Sequence, residues 1–330
     1  MPRLDYSNGS CPALLLEPSR TNLLKQSEYF NSWLKFGLSV SQNQIISPDG
    51  YLNATEVNIT SGGHFLFDII AVSPSTTYTF SWYAKRGTAS SVSYSILDNT
   101  NIVEIVNTTS YYSDISPTEW TRISVEFTTP SNCSSVRPYV LRDGLQLGTI
   151  YLYGAQLEQG SYPTSYIPTY GVSQTRLADV CSRDSISALI NSPSGVFYNE
   201  VILESTTLTG NRHLIVRGDA SNYVNVYFDA FGNIVARIKV AGVDTFLSTP
   251  ITQVENKVAI LWQNNKYALF VNGVKKAENL TGATFPAGTL NKIDFDNVNS
   301  NTPFYGNVKQ TLVFPTALTD DECIALTKID

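Results

Sequence analysis

Charge is scarce in this 330-residue chain: Asp, Glu, Lys and Arg make up 15% of it, against roughly 25% in an average soluble protein. The balance is acidic, with a formal net charge of −6, so nothing electrostatic favours nucleic acid or an anionic membrane as a partner. No apolar run approaches the roughly 20 residues that cross a bilayer. The N-terminus, Met1-Pro2-Arg3-Leu4-Asp5, lacks the hydrophobic core of a signal peptide. The four cysteines, Cys11, Cys133, Cys181 and Cys323, have neither metal-ligand spacing nor the density of a disulfide framework. Reduced, buried thiols in a protein made in a cytoplasm are the expectation. Gly-x-Ser-x-Gly, Walker and dinucleotide motifs are all missing, and no cofactor or metal is expected.

Histidine occurs only as His64 and His213, each alone among apolar or small neighbours, which points to hydrogen-bonded structural roles. Glycoside hydrolysis would need two carboxyl groups facing one another, and the spacing of Glu104, Glu119, Glu126 and Glu158 gives no such pair. Asp294-Phe295-Asp296 puts two carboxylates on one face of a strand, and reads as a solvated strand end rather than a calcium site. An enzyme is not expected.

Aromatic residues are plentiful, with 19 Tyr, 15 Phe and 4 Trp. The chain is too apolar for disorder and long enough for about two domains. Its patterning has period two. Tyr78-Thr79-Phe80-Ser81-Trp82 alternates large aromatic with small hydroxyl, so one face packs and the other is polar. Ser91–Leu97, Asn101–Val106, Trp120–Thr128, Arg137–Leu141 and Thr149–Leu157 read as further strands. Gly160–Gly171 carries two prolines and little periodicity, and reads as an interdomain connection. A second β-rich region runs from about Gly195 to Phe314. Within it, Asn272-Gly273 between two strand-like runs predicts a tight hairpin, and Thr319-Asp320-Asp321-Glu322 is a capping box for one short C-terminal helix. The fold class is all-β: two antiparallel β-sandwiches, or jelly-rolls, in tandem with a short C-terminal helix.

Val258–Trp262, the Leu269–Gly273 hairpin, Phe304–Val308 and Leu312–Phe314, followed by Ala317–Glu322, resemble a laminin-G-like (concanavalin-type) jelly-roll. Tyr78–Lys85, Trp120-Thr121-Arg122 and Tyr153–Glu158 resemble the β-sandwiches of carbohydrate-binding modules. The flanking text, Pro2–Tyr6 with Pro12–Glu17 and Arg20–Leu24, and again Tyr162–Thr169 continuing to Thr175–Asp179, is similar to segments recurrent in tailed-bacteriophage virion proteins. In such proteins the first segment commonly follows an anchoring region, whereas here it begins at residue 2. The division these resemblances imply is an N-terminal segment at 1–19, a carbohydrate-binding-module-like sandwich at 20–168, a linker at 169–189 and a jelly-roll at 190–330.

They further imply a non-enzymatic fibre, spike or decoration subunit on the head or tail of a bacteriophage, exposed on the virion surface. Its partners would be copies of itself (a homotrimer, with a homodimer as the alternative), other virion proteins and glycans. A free bacterial carbohydrate-binding adhesin is the runner-up, and a glycan-cleaving enzyme the third. For glycan contact, Tyr111-Tyr112 stands out because adjacent strand residues face opposite ways. Tyr83, opposite in phase to Trp82, is the other candidate. Trp82, Trp120 and Trp262 are expected in the core, and Tyr162, Tyr166 and Tyr170 against a sandwich.

Overall fold

The computed structural model describes residues 3–6, 11–142, 147–299 and 301–329. The chain divides into two units, 19–177 and 1–18 together with 178–330. The first is therefore an insertion in the second, and they are called here the inserted unit and the frame unit.

The frame unit begins with β1 (Arg3–Asp5) and β2 (Ala13–Leu16). Among the described residues, the inserted unit follows with β3 (Arg20–Asn22), β4 (Leu34–Phe36), β5 (Leu38–Ile46), β6 (Leu52–Ile59), β7 (Phe65–Phe67), β8 (Ile70–Ala71), β9 (Thr77–Arg86), β10 (Ser93–Asp98), β11 (Val103–Ser110), β12 (Thr121–Thr128), β13 (Ser135–Arg142), β14 (Gly148–Gln159) and β15 (Gln174–Arg176). One sheet has the order β12-β9-β14-β6-β5, and the other β11-β10-β13-β7-β4 with β8 also on β13. Tyr78, Phe80 and Trp82 of β9 point between the sheets, opposite Phe127, Val125 and Ile123 of β12. This is the packing that the alternating run predicts.

The register also corrects one expectation. Odd-numbered residues of β12 face the core, so Trp120, one residue before the strand and even in phase, turns outward. It is half-buried, and its indole N–H donates to Ile46 O at 2.9 Å. Trp82 and Trp262 are fully buried.

The proline-bearing segment after β14 is not an open connection. It lies on the outward face of the five-stranded sheet, where Glu158 accepts from Thr164 N at 2.8 Å and Thr164 Oγ1 at 2.6 Å. Gln156 Oε1 accepts from Ile167 N at 2.7 Å. Tyr166 packs edge-on against Tyr153 at 5.5 Å and over Gly154 (φ +59°), where a Cβ would stand 3.3 Å from the ring. Proline removes donors and excludes a central strand, but side chains of the sheet supply the partners instead. Beyond it, β15 pairs with β3, so the chain enters and leaves the inserted unit as one antiparallel ribbon.

The frame unit resumes with β16 (Ser182–Arg183), β17 (Gly195–Ile202), β18 (Arg212–Asp219), β19 (Asn222–Phe228), β20 (Asn233–Val240), β21 (Val243–Pro250), β22 (Glu255–Gln263), β23 (Lys266–Val271), β24 (Val274–Asn279), β25 (Lys292–Asp294), β26 (Gly306–Phe314) and α1 (Asp320–Leu326). Its sheets run β1-β2-β26-β17-β22-β23-β24 and β16-β25-β18-β19-β20-β21. Phe197, Ile260 and Trp262 meet Leu214, Val226 and Phe228 in the core between them. The β23–β24 turn has Asn272 and Gly273 both at positive φ, +52° and +78°, as a primed hairpin turn requires. The helix α1 covers the outward side of the seven-stranded sheet through Cys323, against Val196, Tyr198, Leu261 and Phe270.

The stretch expected as a separate N-terminal segment is instead sheet. Residues 1–2 and 7–10 of it lie outside the described residues, but β1 pairs with β2, and β2 with β26 through Leu14↔Val308 and Leu16↔Gly306. Arg3 bridges Glu17 (2.5 Å) and Asp179; Asp179 N donates to Glu17 O at 3.0 Å, and Glu17 N donates to the Asp179 carboxylate at 2.7 Å. The expected linker 169–189 is likewise structured, with β15 and β16 inside it.

The cysteines are all unpaired, but burial holds only for Cys133 and Cys323; Cys181 is half-buried and Cys11 exposed, against the expectation of buried thiols. At the helix, Thr319 Oγ1 accepts from Glu322 N, and the Glu322 side chain accepts from Thr319 N at 2.7 Å. Thr319→Ala is expected to lower frame-unit stability by about 0.5–2 kcal/mol, read by chemical denaturation. An unchanged midpoint would mean that the capping box adds nothing to the stability of the unit.

Candidate glycan-binding face

The structure sends the three tyrosines singled out from the sequence to different places. Tyr111 has no surface to offer. It is fully buried, donates its hydroxyl to Val140 O at 2.9 Å and meets Trp82 edge-on at 5.4 Å. The alternation argument fails there because β11 ends at Ser110, and Tyr111 (φ −122°, ψ 13°) opens a 3₁₀ turn. Burial raises its phenol well above the ordinary range. Tyr112, inside that turn, lies under the Arg86 guanidinium, 4.3 Å from its ring centre. Tyr83 is half-buried on the outward face of the five-stranded sheet, between Tyr153 (6.2 Å) and the Arg122 guanidinium (5.5 Å).

Beside Tyr83 the same sheet carries a tyrosine and carboxylate cluster. Glu28 Oε1 accepts from Tyr166 at 3.0 Å and Tyr170 at 3.2 Å, and Tyr153 donates to Asp49 at 2.6 Å. Burial pushes the Asp49 carboxyl up, but hydrogen bonds from Ser47, Tyr153, Tyr51 and Asn53 outweigh it and hold the pKa at about 2. These bonds tie residues 26–28 and 166–170 to the sheet, so this cluster reads as architecture.

The other sheet carries a more open arrangement. Its register aligns Leu34, Phe67, Tyr139 and Ser95 in one row across β4, β7, β13 and β10. Phe36, Phe65 and Arg142 form the next row. Arg137, Leu97 and Glu104 form a third. Alternate residues, Leu66, Ile96, Val136 and Val140, enter the core, so the three rows face outward. Phe36 and Phe65 stack at 5.7 Å, and Phe67 and Tyr139 tilt together at 4.5 Å. Phe36 is 58% exposed, far more than core packing leaves an aromatic.

Polar groups frame these rings. The Arg142 guanidinium lies 4.3 Å above Tyr139 and pairs with Glu104 at 3.2 Å. Arg137 lies 5.4 Å from Phe67 and donates to Asn99 Oδ1 at 2.6 Å. The Ser95 hydroxyl, fully buried on this outward side, has no hydrogen-bond partner. Such a group costs free energy until something bonds to it. The neighbouring β10–β11 turn is held by Asp98. Burial raises its carboxyl, but donors on Asn101, Cys133 and Thr100 more than offset this and lower it.

Apolar ring faces, two guanidiniums, one carboxylate and an unmatched hydroxyl suit a ligand with both C–H faces and hydroxyls. Sequence reading missed this face because β4 and β7 are three residues long, too short for a period to register. The available signal was Leu34-x-Phe36 and Phe65-x-Phe67, two apolar pairs at strand spacing.

Residues 27–142, roughly a third of the chain, match a family model described as a carbohydrate binding domain, and every residue of the three rows lies inside that match. No curated protein matches the chain. Among solved structures, the chain is similar to the CBM40 module of a Ruminococcus gnavus IT-sialidase bound to α2,3-sialyllactose (22% identity, 44% of this chain and 91% of that one, TM-score 0.37). It is also similar to the leech intramolecular trans-sialidase (17% identity, 46% and 28%, TM-score 0.37) and to a heptameric SAP-like pentraxin from Limulus polyphemus (11% identity, 40% and 69%, TM-score 0.32). TM-scores below 0.5 say nothing about function here. The family match at 27–142 does bear on it.

Proposed function

We propose that the chain is a glycan-binding protein whose inserted unit holds sugar rings on the outward face of β11-β10-β13-β7-β4. The observation that carries this is the stack of exposed Phe36 on half-buried Phe65 beside the unpartnered Ser95 hydroxyl, within the stretch that matches a carbohydrate binding domain. The aromatic faces would take the C–H side of a pyranose. Arg137, Arg142 and Glu104 would bond its hydroxyls, and Ser95 would gain the partner it lacks. Glu104 is already paired with Arg142, an arrangement for holding a ligand rather than cleaving it. The setting proposed is a bacteriophage particle, with the chain as a self-associating fibre, spike or decoration subunit. Support for that part comes from the resemblance of the two flanking segments to tailed-phage virion proteins.

Binding is tested on an oligosaccharide array with Phe36→Ala and Phe65→Ala. Both are expected to weaken the selected glycan about tenfold or more, roughly 1.4 kcal/mol. Phe36→Ala should leave the melting temperature nearly unchanged, because its ring is mostly exposed. Equal affinity in wild type and both variants would remove this face from the reading. Copy number of the chain in purified particles, with sedimentation of the free chain, tests the setting.

A further inference from the structure

The frame unit carries a second outward face with the marks of a binding site, on β25-β18-β19-β20-β21. Its register again gives rows. His213, Tyr227, Val235 and Ser248 form one. Asp294, Ile215, Asn225, Arg237 and Phe246 form the next. Lys292, Arg217, Tyr223, Lys239 and Asp244 form the third. The core takes the alternate residues, including Leu214, Val216, Val224, Val226, Ile234, Ala236 and Ile238. Even so, His213, Ile215, Tyr223, Asn225, Val235 and Asp294 are buried on the side away from that core, and together they make a floor. At the β25 end it continues into a pocket of about 280 Å³ lined by Asp294, Phe295, Pro303 and Tyr305. At the other end Phe246 is 54% exposed.

Two polar groups of this face are unmatched. Asn225, 3% exposed, donates its amide to His213 Nδ1 at 2.9 Å and leaves Oδ1 without a partner. Turning the amide round would only exchange the orphaned oxygen for an orphaned N–H. Arg217 Nε is buried and unpartnered as well. By contrast, the charges are already matched: Arg217–Asp294 at 3.0 Å, Arg237–Asp244 at 2.8 Å, Lys292–Asp294 at 3.1 Å. An ionic ligand would have to break these pairs. A neutral hydroxyl, which both donates and accepts, satisfies the amide in either orientation and leaves them intact. His213 sits stacked on Tyr227 at 4.8 Å and is held neutral by burial.

We propose that this face is a second saccharide site, taking neutral sugar rings across Asn225 toward Phe246, separate from the face of the inserted unit and not dependent on it. The chain would then bind glycans at two places.

The test uses the full chain carrying Phe36→Ala, Phe65→Ala and Arg142→Ala, titrated calorimetrically with cello-, xylo-, manno-, malto- and chitohexaose and with a galacturonic acid hexamer. At least one neutral hexasaccharide is expected to bind at one site per chain, about tenfold more weakly after Asn225→Leu or Phe246→Ala. Phe246→Ala removes a mostly exposed ring and keeps the test usable should Asn225→Leu fail to fold. Three results would overturn the proposal: no neutral hexasaccharide bound, binding indifferent to both substitutions, or preference for the galacturonic acid hexamer. Failure of the inserted-unit reading looks different, since the triple variant would then bind as the wild type does.

Discussion

A chain with residues 19–177 cut out, Pro18 joined to Ala178 by a short Gly-Ser linker, is expected to melt cooperatively, whereas residues 178–330 alone are not. The reason lies in β1 and β2. Leu16 is buried in the frame-unit core, and β2 covers the edge of β26. Asn307 donates to Asp5 at 2.7 Å, and Arg3 holds Glu17 and Asp179. Removing one buried leucine costs about 2–5 kcal/mol. Losing the paired strands with it would consume most of the 5–15 kcal/mol of a typical domain. The excision leaves all of these contacts in place, because residues 17 and 179 are already joined by one backbone bond and one from the Glu17 N–H to the Asp179 carboxylate. Residues 19–177 should also fold alone, with the β3–β15 ribbon closing their ends. Circular dichroism melts of the three chains decide it. A sharp transition in 178–330 matching that of the excised chain would show that β1 and β2 are ornamental.

The second large effect is a pH dependence in the frame unit. Burial lowers the His213 pKa to about 4; the Asn225 hydrogen bond raises it somewhat and the Arg237 charge lowers it further. Unfolded, the imidazole titrates near 6.5. As pH falls from 6.5 toward 4 the unfolded chain therefore takes up a proton that the folded chain refuses. The contribution is complete above pH 6.5 and is lost as pH falls, the loss reaching about 3 kcal/mol by pH 4. Denaturant titrations of wild type and His213→Gln at pH 7.5 and 4.5 should show the wild type losing more stability than the variant over that interval. Parallel losses would mean that the imidazole is protonated in place.

Local pattern was legible in the sequence wherever a run exceeded one turn of its own period. The β9 alternation, the Asn272-Gly273 turn and the Thr319–Glu322 cap each contain their own partner or their own geometry, and each stands as read. What a strand pairs with is another matter. Nothing in Ala13–Leu16 names Gly306–Val308, nearly three hundred residues away, so a strand read as a detached segment. Strand ends failed for a related reason. Extending β11 by one residue to Tyr111, or β12 back to Trp120, assumes a period that the backbone has already left or that points the other way. The prolines after β14 correctly exclude a central strand. They do not exclude docking, because Gln156 and Glu158 bond that segment from the sheet side. The aromatic face of the inserted unit was invisible as a whole, because its rings come from three separate strands.

The four unpaired thiols make the two units separately observable. Burial raises Cys133 to about 11 and Cys323 to about 12, so neither offers thiolate to an alkylating reagent while its surroundings hold. Cys133 belongs to the inserted unit and Cys323 to the frame unit. Pulse alkylation along a denaturant series, read by peptide mass, would therefore date the opening of each unit in one intact chain. Cys11, exposed throughout, serves as the internal standard for reagent strength.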